Sequence, residues 1–313
     1  MTAYLLRRVL ATLPVIFVVA LIVFSLLYLS PGDPAMLIAG DQASAEELEH
    51  IRVSLGLDEP FLVRFGSWLW QILGGSLGVS IFTNMPVGSL IAARVEPTIS
   101  IMVLTLLFAL AVGVPLGIAA AAKPGGWVDR ISMSSAVLGF SVPGFVLGYL
   151  LAYVFGLKLG WFPVQGYSPL GDGVVHWLRS LALPALSLSS IYIAVIARTT
   201  RAAMLDVLQH GYIRTARAKG AGRASLLYVH ALRNAALPVV TVVGIGVALL
   251  IGGAVVAESV FAIPGVGRLT VDAILRRDYP VIQGVVLLSS LMYVVVNLLI
   301  DLLYVVIDPR VRL

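Results

Sequence analysis

YIRTARAKGAGRASLLYVHALRNAALP, residues 212–238, is the longest basic stretch of the chain, and its placement decides the fold. It carries Arg214, Arg217, Lys219, Arg223 and Arg233 and no acidic residue. Helix formers surround a break at Gly220-Ala221-Gly222, and long apolar runs flank the stretch on both sides. A polar, partly helical insert of this kind between two apolar runs reads as a handle for a partner outside the lipid.

The 313 residues are 59% apolar and only 12% charged, against about a quarter charged in ordinary soluble domains. Runs without charge fall at 9–32, 97–122, 131–157, 180–197, 234–257 and 279–300. Each approaches or exceeds the roughly 18–20 residues that cross a bilayer core as a helix. Backbone groups in hydrocarbon must pair internally, so these runs are expected to be helices. The alternation of barrel strands is absent. A seventh run, 65–93, holds five Gly and four Ser with Gln71, Asn84 and Pro86, too many for a span, and reads as loop with short helices.

Charge orients the spans. With six spans and the N-terminus inside, the inner segments 1–8, 123–130, 198–233 and 308–313 hold thirteen of the 21 Lys and Arg. The first outer loop holds half of the 16 acidic residues. Counting 65–85 as a span would move 198–233 outside, against the positive-inside tendency. Arg7-Arg8 and the apolar run after them resemble a signal peptide, but the run is long and lacks a small-residue cleavage site, so an uncleaved first span is expected.

The fold class is therefore an all-α membrane protein of six transmembrane helices with a helical outer insert between the first two. Residues 1–34 form the tail and first span, 35–96 the insert, 97–308 five further helices with an inner loop at about 206–236, and 309–313 a tail. Span 1 stops at Pro31-Gly32-Asp33-Pro34. Within the insert, Ser44 and Glu47 have capping-box spacing before a helix reaching Gly56. Phe61–Leu73, with Trp68 and Trp70, reads as an amphipathic interfacial helix. The later spans are placed at about 98–122, 131–157, Leu181 onward past Arg198 and Arg201, 237–257 and 281–306.

Much chemistry is missing. No lysine precedes Ser or Thr, so no phosphate-cradling P-loop exists. There is no cysteine, and His50, His176, His210 and His230 lie apart without metal-ligand spacing. No GxSxG motif occurs, so an enzyme reading has nothing to rest on. Glu258 and Asp301 are the embedded acids, both toward helix ends. Glu258 is expected within reach of Arg268, and Asp301 within reach of Arg198 or Arg201, as structural ion pairs. A secondary carrier would need an ion relay at mid-depth, which is not visible. Basic charge spread over several loops does not suit nucleic acid.

The remaining motifs come in order along nearly the whole chain. They are Tyr4-Leu5-Leu6-Arg7-Arg8, Pro31-Gly32-Asp33-Pro34, Leu55-Gly56-Leu57-Asp58-Glu59-Pro60, Gly75-Ser76-Leu77-Gly78 with Pro86-Val87, and Tyr212 to Gly220. Glu258 with Phe261, Pro264-Gly265-Val266-Gly267-Arg268, Arg277-Asp278-Tyr279-Pro280 and Asp308-Pro309-Arg310 complete the set. In these the chain resembles the permease subunits of binding-protein-dependent ABC importers, dipeptide/oligopeptide/nickel branch.

The resemblance implies a type I importer permease fold in a bacterial inner membrane, both termini cytoplasmic. It implies a second homologous permease, two ATP-binding cassette subunits that bind ATP and Mg, and a periplasmic or lipid-anchored substrate-binding protein. This chain would carry no cofactor, metal or catalytic residue and would not bind nucleic acid; lipids surround it. The coupling helix maps to Tyr212, Arg214, Thr215, Ala216, Arg217, Ala218, Lys219, Gly220 and Ala221, with Arg214 in the place of an acidic residue of the family core. Glu46, Glu47, Glu49, Asp58 and Glu59 are candidates to meet the binding protein. From polarity alone, Ser187, Ser190, Thr241 and Asn297 are candidates for the pathway. The implied cargo is short peptides, with nickel or metal chelates, glutathione-like peptides and oligosaccharides as alternatives. A self-contained channel or carrier is the contrasting class.

Overall fold

The computed structural model describes residues 2–29, 36, 44–54 and 58–307. The described residues are all-helical apart from turns and one isolated bridge, Val79–Pro86. The helices are α1 Thr2–Leu29, α2 Ala45–Ser54, α3 Phe61–Leu73, α4 Val87–Ala122, α5 Trp127–Ser141, α6 Gly144–Leu151, α7 Val174–Leu208, α8 Gly211–Ala218, α9 Leu232–Val260, α10 Val266–Arg276 and α11 Tyr279–Ile307. Wide π-helical turns extend α6 through Lys158 and precede α9 from Ser225. Among the described residues, four continuous helices are long and apolar enough to cross a membrane: Val87–Ala122, Val174–Leu208, Ser225–Val260 and Tyr279–Leu303.

Several spans overrun their charge-free runs. α4 begins at Val87, so the last ten residues assigned to the outer insert are helix, and Pro97 lies inside it. α7 starts at Val174, not near Leu181, and passes Arg198 and Arg201 as expected. The physical reason is general: Arg94 and Arg179 lie outside the charge-free runs, while backbone helical hydrogen bonds do not depend on side-chain charge and continue past them. The expected span 131–157 is instead two helices. Pro143 supplies no N–H and drives Val142 into extended backbone, which ends α5.

The chain divides into two compact units. The larger comprises Arg94–Arg268 and Val295–Leu313. Its core joins α4, α7, α9 and the turn extending α6 through Ile101, Ala152, Leu181, Leu183, Leu250, Ala254 and Phe261, all buried. Helix approach there relies on small residues, as expected in lipid, where packing replaces the hydrophobic drive. At Gly117 an added Cβ would lie 2.5 Å from Thr200 and 2.6 Å from the Ala197 carbonyl, so α4 and α7 touch backbone to backbone.

The smaller unit comprises Met1–Ala93 and Leu269–Val294. Phe24 of α1 meets Phe61, Phe65 and Trp68 of α3 with ring centroids 5.2–5.5 Å apart. The amphipathic helix thus has the bounds read from sequence; Phe65 is buried, while Trp70 stays exposed. Two sequence motifs close on each other here. Ser80 Oγ donates to Asp278 Oδ2 at 2.5 Å, and the Ile81 N–H donates to Oδ1 at 3.3 Å. Asp278 also begins α11, its carbonyl accepting from Ile282 N–H. The helix after Ser44 is present to Ser54, but the Glu47 side chain and the stretch to Gly56 lie outside the described residues.

Candidate functional site

The basic stretch folds into α8 and a closed turn. The His210 backbone is extended, and its carbonyl accepts from Ile213 N–H to start the helix. Ile213 is fully buried against Ile118, Ala121, Met204, Val207, Leu226 and Ala231, so one face of α8 is sealed to the ends of α4, α7 and α9. Ala216 and Ala221 join that contact from its edge.

Gly220 ends the helix. Its φ of +86° puts it in the left-handed region, and its N–H donates to the Arg217 carbonyl while Ala221 N–H reaches back to Ala216. These two bonds define the Schellman termination, with Ala216 and Ala221 as its apolar contact. A Cβ at Gly220 would meet nothing within 4 Å, so backbone conformation, not space, calls for glycine.

The other face is open. Tyr212, Arg214, Thr215, Arg217, Ala218 and Lys219 are exposed. No carboxylate among the described residues pairs with Arg214, Arg217 or Lys219. Arg217 and Lys219 sit at the negative end of the helix dipole, which favours them locally. Asn234 amide donates to the Tyr212 hydroxyl at 3.0 Å and to the His230 carbonyl at 2.9 Å, fixing the aromatic ring at the rim.

Two anchors hold the surroundings. Arg201 makes a two-pronged bond to Asp129, Nε to Oδ1 at 2.5 Å and Nη2 to Oδ2 at 2.7 Å. Oδ2 also accepts the Gly125 N–H at 2.8 Å, closing the turn between α4 and α5. The Arg201 hydrogen bond first, and the Gly125 amide second, hold the Asp129 carboxyl below its usual range. Arg223 donates to the Ala122 carbonyl at the end of α4. Sequence reading offered Arg201 to Asp301; its guanidinium is engaged by Asp129 instead.

Glu258 is fully buried near the end of α9. Its carboxylate accepts from Thr98 Oγ1 at 2.6 Å and from the Arg268 N–H at 2.9 Å. Thr98 in turn accepts the Val266 N–H at 2.8 Å. The free amides opening α10 are thus capped by residues distant in sequence. The link from Glu258 to Arg268 runs through the peptide, not the guanidinium. Any Cβ at Gly265 or Gly267 would meet the carboxylate, which explains why glycines flank Val266.

The pathway candidates separate. Ser187 and Ser190 donate to carbonyls three residues back, and Thr241 to one four residues back, all on their own helices. Ser187 also borders a partly open hollow of about 190 Å³ between α6, α7 and α9. Ser190, Thr241 and the half-buried Asn297 are not among its lining residues. Glu46, Glu49, Asp58 and Glu59 are exposed, and Glu49 pairs with Arg52 at 3.7 Å. Among the described residues no group of three metal-ligating side chains occurs.

Two family models match in succession. Residues 1–102 match "Binding-prot-dependent transport system membrane comp, N-term", and 113–313 match "Binding-protein-dependent transport system inner membrane component". The chain belongs to the binding-protein-dependent transport permeases. It is an ABC importer permease of the peptide branch and a multi-pass membrane protein. It is 50% identical over 312 residues to the "Probable peptide ABC transporter permease protein" of Sinorhizobium fredii, covering 100% of both chains. It is 45% identical over 312 residues to a glutathione transport system permease protein of Pectobacterium atrosepticum, covering 100% of this chain and 99% of that one. In fold it is similar to an inward-facing structure of the MetNI methionine ABC transporter, with TM-score 0.57 and 18% identity over 70% of this chain and 96% of that one.

Proposed function

We propose that this permease subunit carries short peptides inward, driven by ATP hydrolysed on separate cassette subunits, and that residues 212–222 are where those subunits grip it. The observation that carries the reading is the division of α8 into two faces. Ile213 locks one face to the ends of three long helices, and an uncompensated Arg214/Arg217/Lys219 face stands open to acidic partner groups. A push on α8 is transmitted to α4, α7 and α9 because the packed contact has no slack.

In this reading six spans place both termini in the cytoplasm, with α8 on that side, and the acidic insert between α1 and α4 faces the binding protein. A second permease completes the pore. The cassette subunits bring ATP and Mg; this chain has no nucleotide site of its own. Short peptides are favoured over metal chelates or oligosaccharides by the peptide and glutathione names of its relatives.

The test is reconstitution in liposomes with binding protein, second permease and cassette subunits. The Arg214→Glu/Arg217→Glu variant is expected to insert normally, lose uptake and lose substrate-stimulated ATPase activity. Wild-type stimulation in that variant would show that α8 is not the coupling element. Peptide flux through this chain alone, without ATP or partners, would favour a self-contained carrier.

A further inference from the structure

We infer that the hollow between α6, α7 and α9 is a binding site for the apolar or aromatic side chain of a transported peptide, with the Tyr192 hydroxyl meeting the polar group beside it. The inference rests on the peptide reading above. Phe145, Leu188, Tyr192, Val256 and Phe261 give the hollow its apolar walls, and Gly253 opens its side. Its volume, about 190 Å³, exceeds that of an apolar cavity of about 150 Å³ that accommodates benzene. One phenylalanine or leucine side chain fits.

The space exists because side chains are missing. A Cβ at Gly253 would lie 3.7 Å from Leu188 Cδ2 and 4.0 Å from the Tyr192 hydroxyl, ordinary contact distances. Atoms beyond that Cβ would enter the hollow. The floor is polar at two points. Ser187 already donates to the Pro184 carbonyl at 2.8 Å. Tyr192 has no hydrogen-bond partner among the described residues and borders the empty space.

A lipid tail is a poor match for that arrangement. An unmet hydroxyl in hydrocarbon is costly, and an acyl chain offers it no partner. A solute that places a carbonyl next to an apolar group satisfies both features. Every peptide residue with an apolar side chain has that chemistry. Apolar pockets with a few placed polar groups are the general form of small-ligand sites.

The experiment measures uptake of Phe-Phe and Gly-Gly dipeptides by the full reconstituted complex, using one binding protein throughout so that its own preference cancels in the ratio. Gly253→Leu fills the hollow and is expected to lower the Phe-Phe to Gly-Gly uptake ratio at least about tenfold, the scale for a methylene misfit in an apolar pocket. Gly252→Leu, at a neighbouring position with open space around it, is expected to leave the ratio unchanged. Equal loss of both dipeptides with Gly253→Leu, or an unchanged ratio, would overturn the site. A second arm uses a dipeptide bearing a benzophenone side chain, expected to label Tyr192 or Val256. Labelling there by a benzophenone phospholipid that excess dipeptide does not displace would assign the hollow to lipid and overturn the inference. Failure of the wild-type complex to take up any di-, tri- or oligopeptide would refute the peptide reading, and this site with it.

Discussion

Replacing Gly220 tests the geometry of α8 without touching any neighbour. Its φ of +86° costs an L-residue about 1–2 kcal/mol, and the open space around it means that no clash adds to that figure. Gly220→Ala should therefore weaken the Arg217 and Ala216 carbonyl bonds that close the helix, with Gly220→Asn milder and Gly220→Val worse. A destabilisation of 1–2 kcal/mol corresponds to a factor of about 5–30 in the population of the opened turn. Hydrogen exchange at the Gly220 and Ala221 amides should accelerate by that factor in Gly220→Ala. Substrate-stimulated ATPase activity should fall in the order Gly, Asn, Ala, Val. Wild-type exchange in both the Ala and Val variants, or an Asn variant no better than Val, would refute the argument.

Other perturbations address the anchors. The depressed Asp129 pKa gives stability that is present above the usual carboxylate value of about 3.9 and is lost as pH falls through the lower folded value. Thermal stability in detergent should therefore show an Asp129-dependent loss only at acid pH, and Asp129→Asn should remove that component while lowering the melting temperature near neutrality. Gly267→Ala drives a methyl against Val255 Cα, 2.6 Å away, and the Glu258 carboxylate, 2.9 Å away. It should lower the melting temperature more than Thr98→Val, which removes one hydrogen bond to that carboxylate and strands the Val266 N–H; the reverse order would count against the capped corner.

What the sequence revealed depended on how local the cause was. Pro60 and Gly74 bracket α3, so its bounds could be read directly. Gly220 likewise announced the end of α8, where its backbone takes the left-handed turn. Helix α10 was missed because its cap comes from Thr98 and Glu258, and no residue beside Val266 signals a start. The Arg201–Asp129 bond spans 72 positions and leaves no local pattern. Charge bounded the apolar runs, but helical hydrogen bonding does not stop at a charged residue, and so α4 and α7 ran longer than their apolar runs. The proximity of Glu258 to Arg268 was legible; which atoms meet was not, because a buried carboxylate can be satisfied by amides as well as by a guanidinium.

The central claim is that the open face of α8 touches the ATP-hydrolysing partner. The chain contains no cysteine, so single introduced thiols report without background. Thr215→Cys or Arg217→Cys in the assembled complex should cross-link to a thiol placed on a cassette subunit through a short bifunctional reagent, with yield that changes between ATP-bound and nucleotide-free states. A cysteine at Val175, exposed near the opposite end of α7, should give none. Equal or absent cross-linking from α8 in an ATPase-active complex would contradict the account.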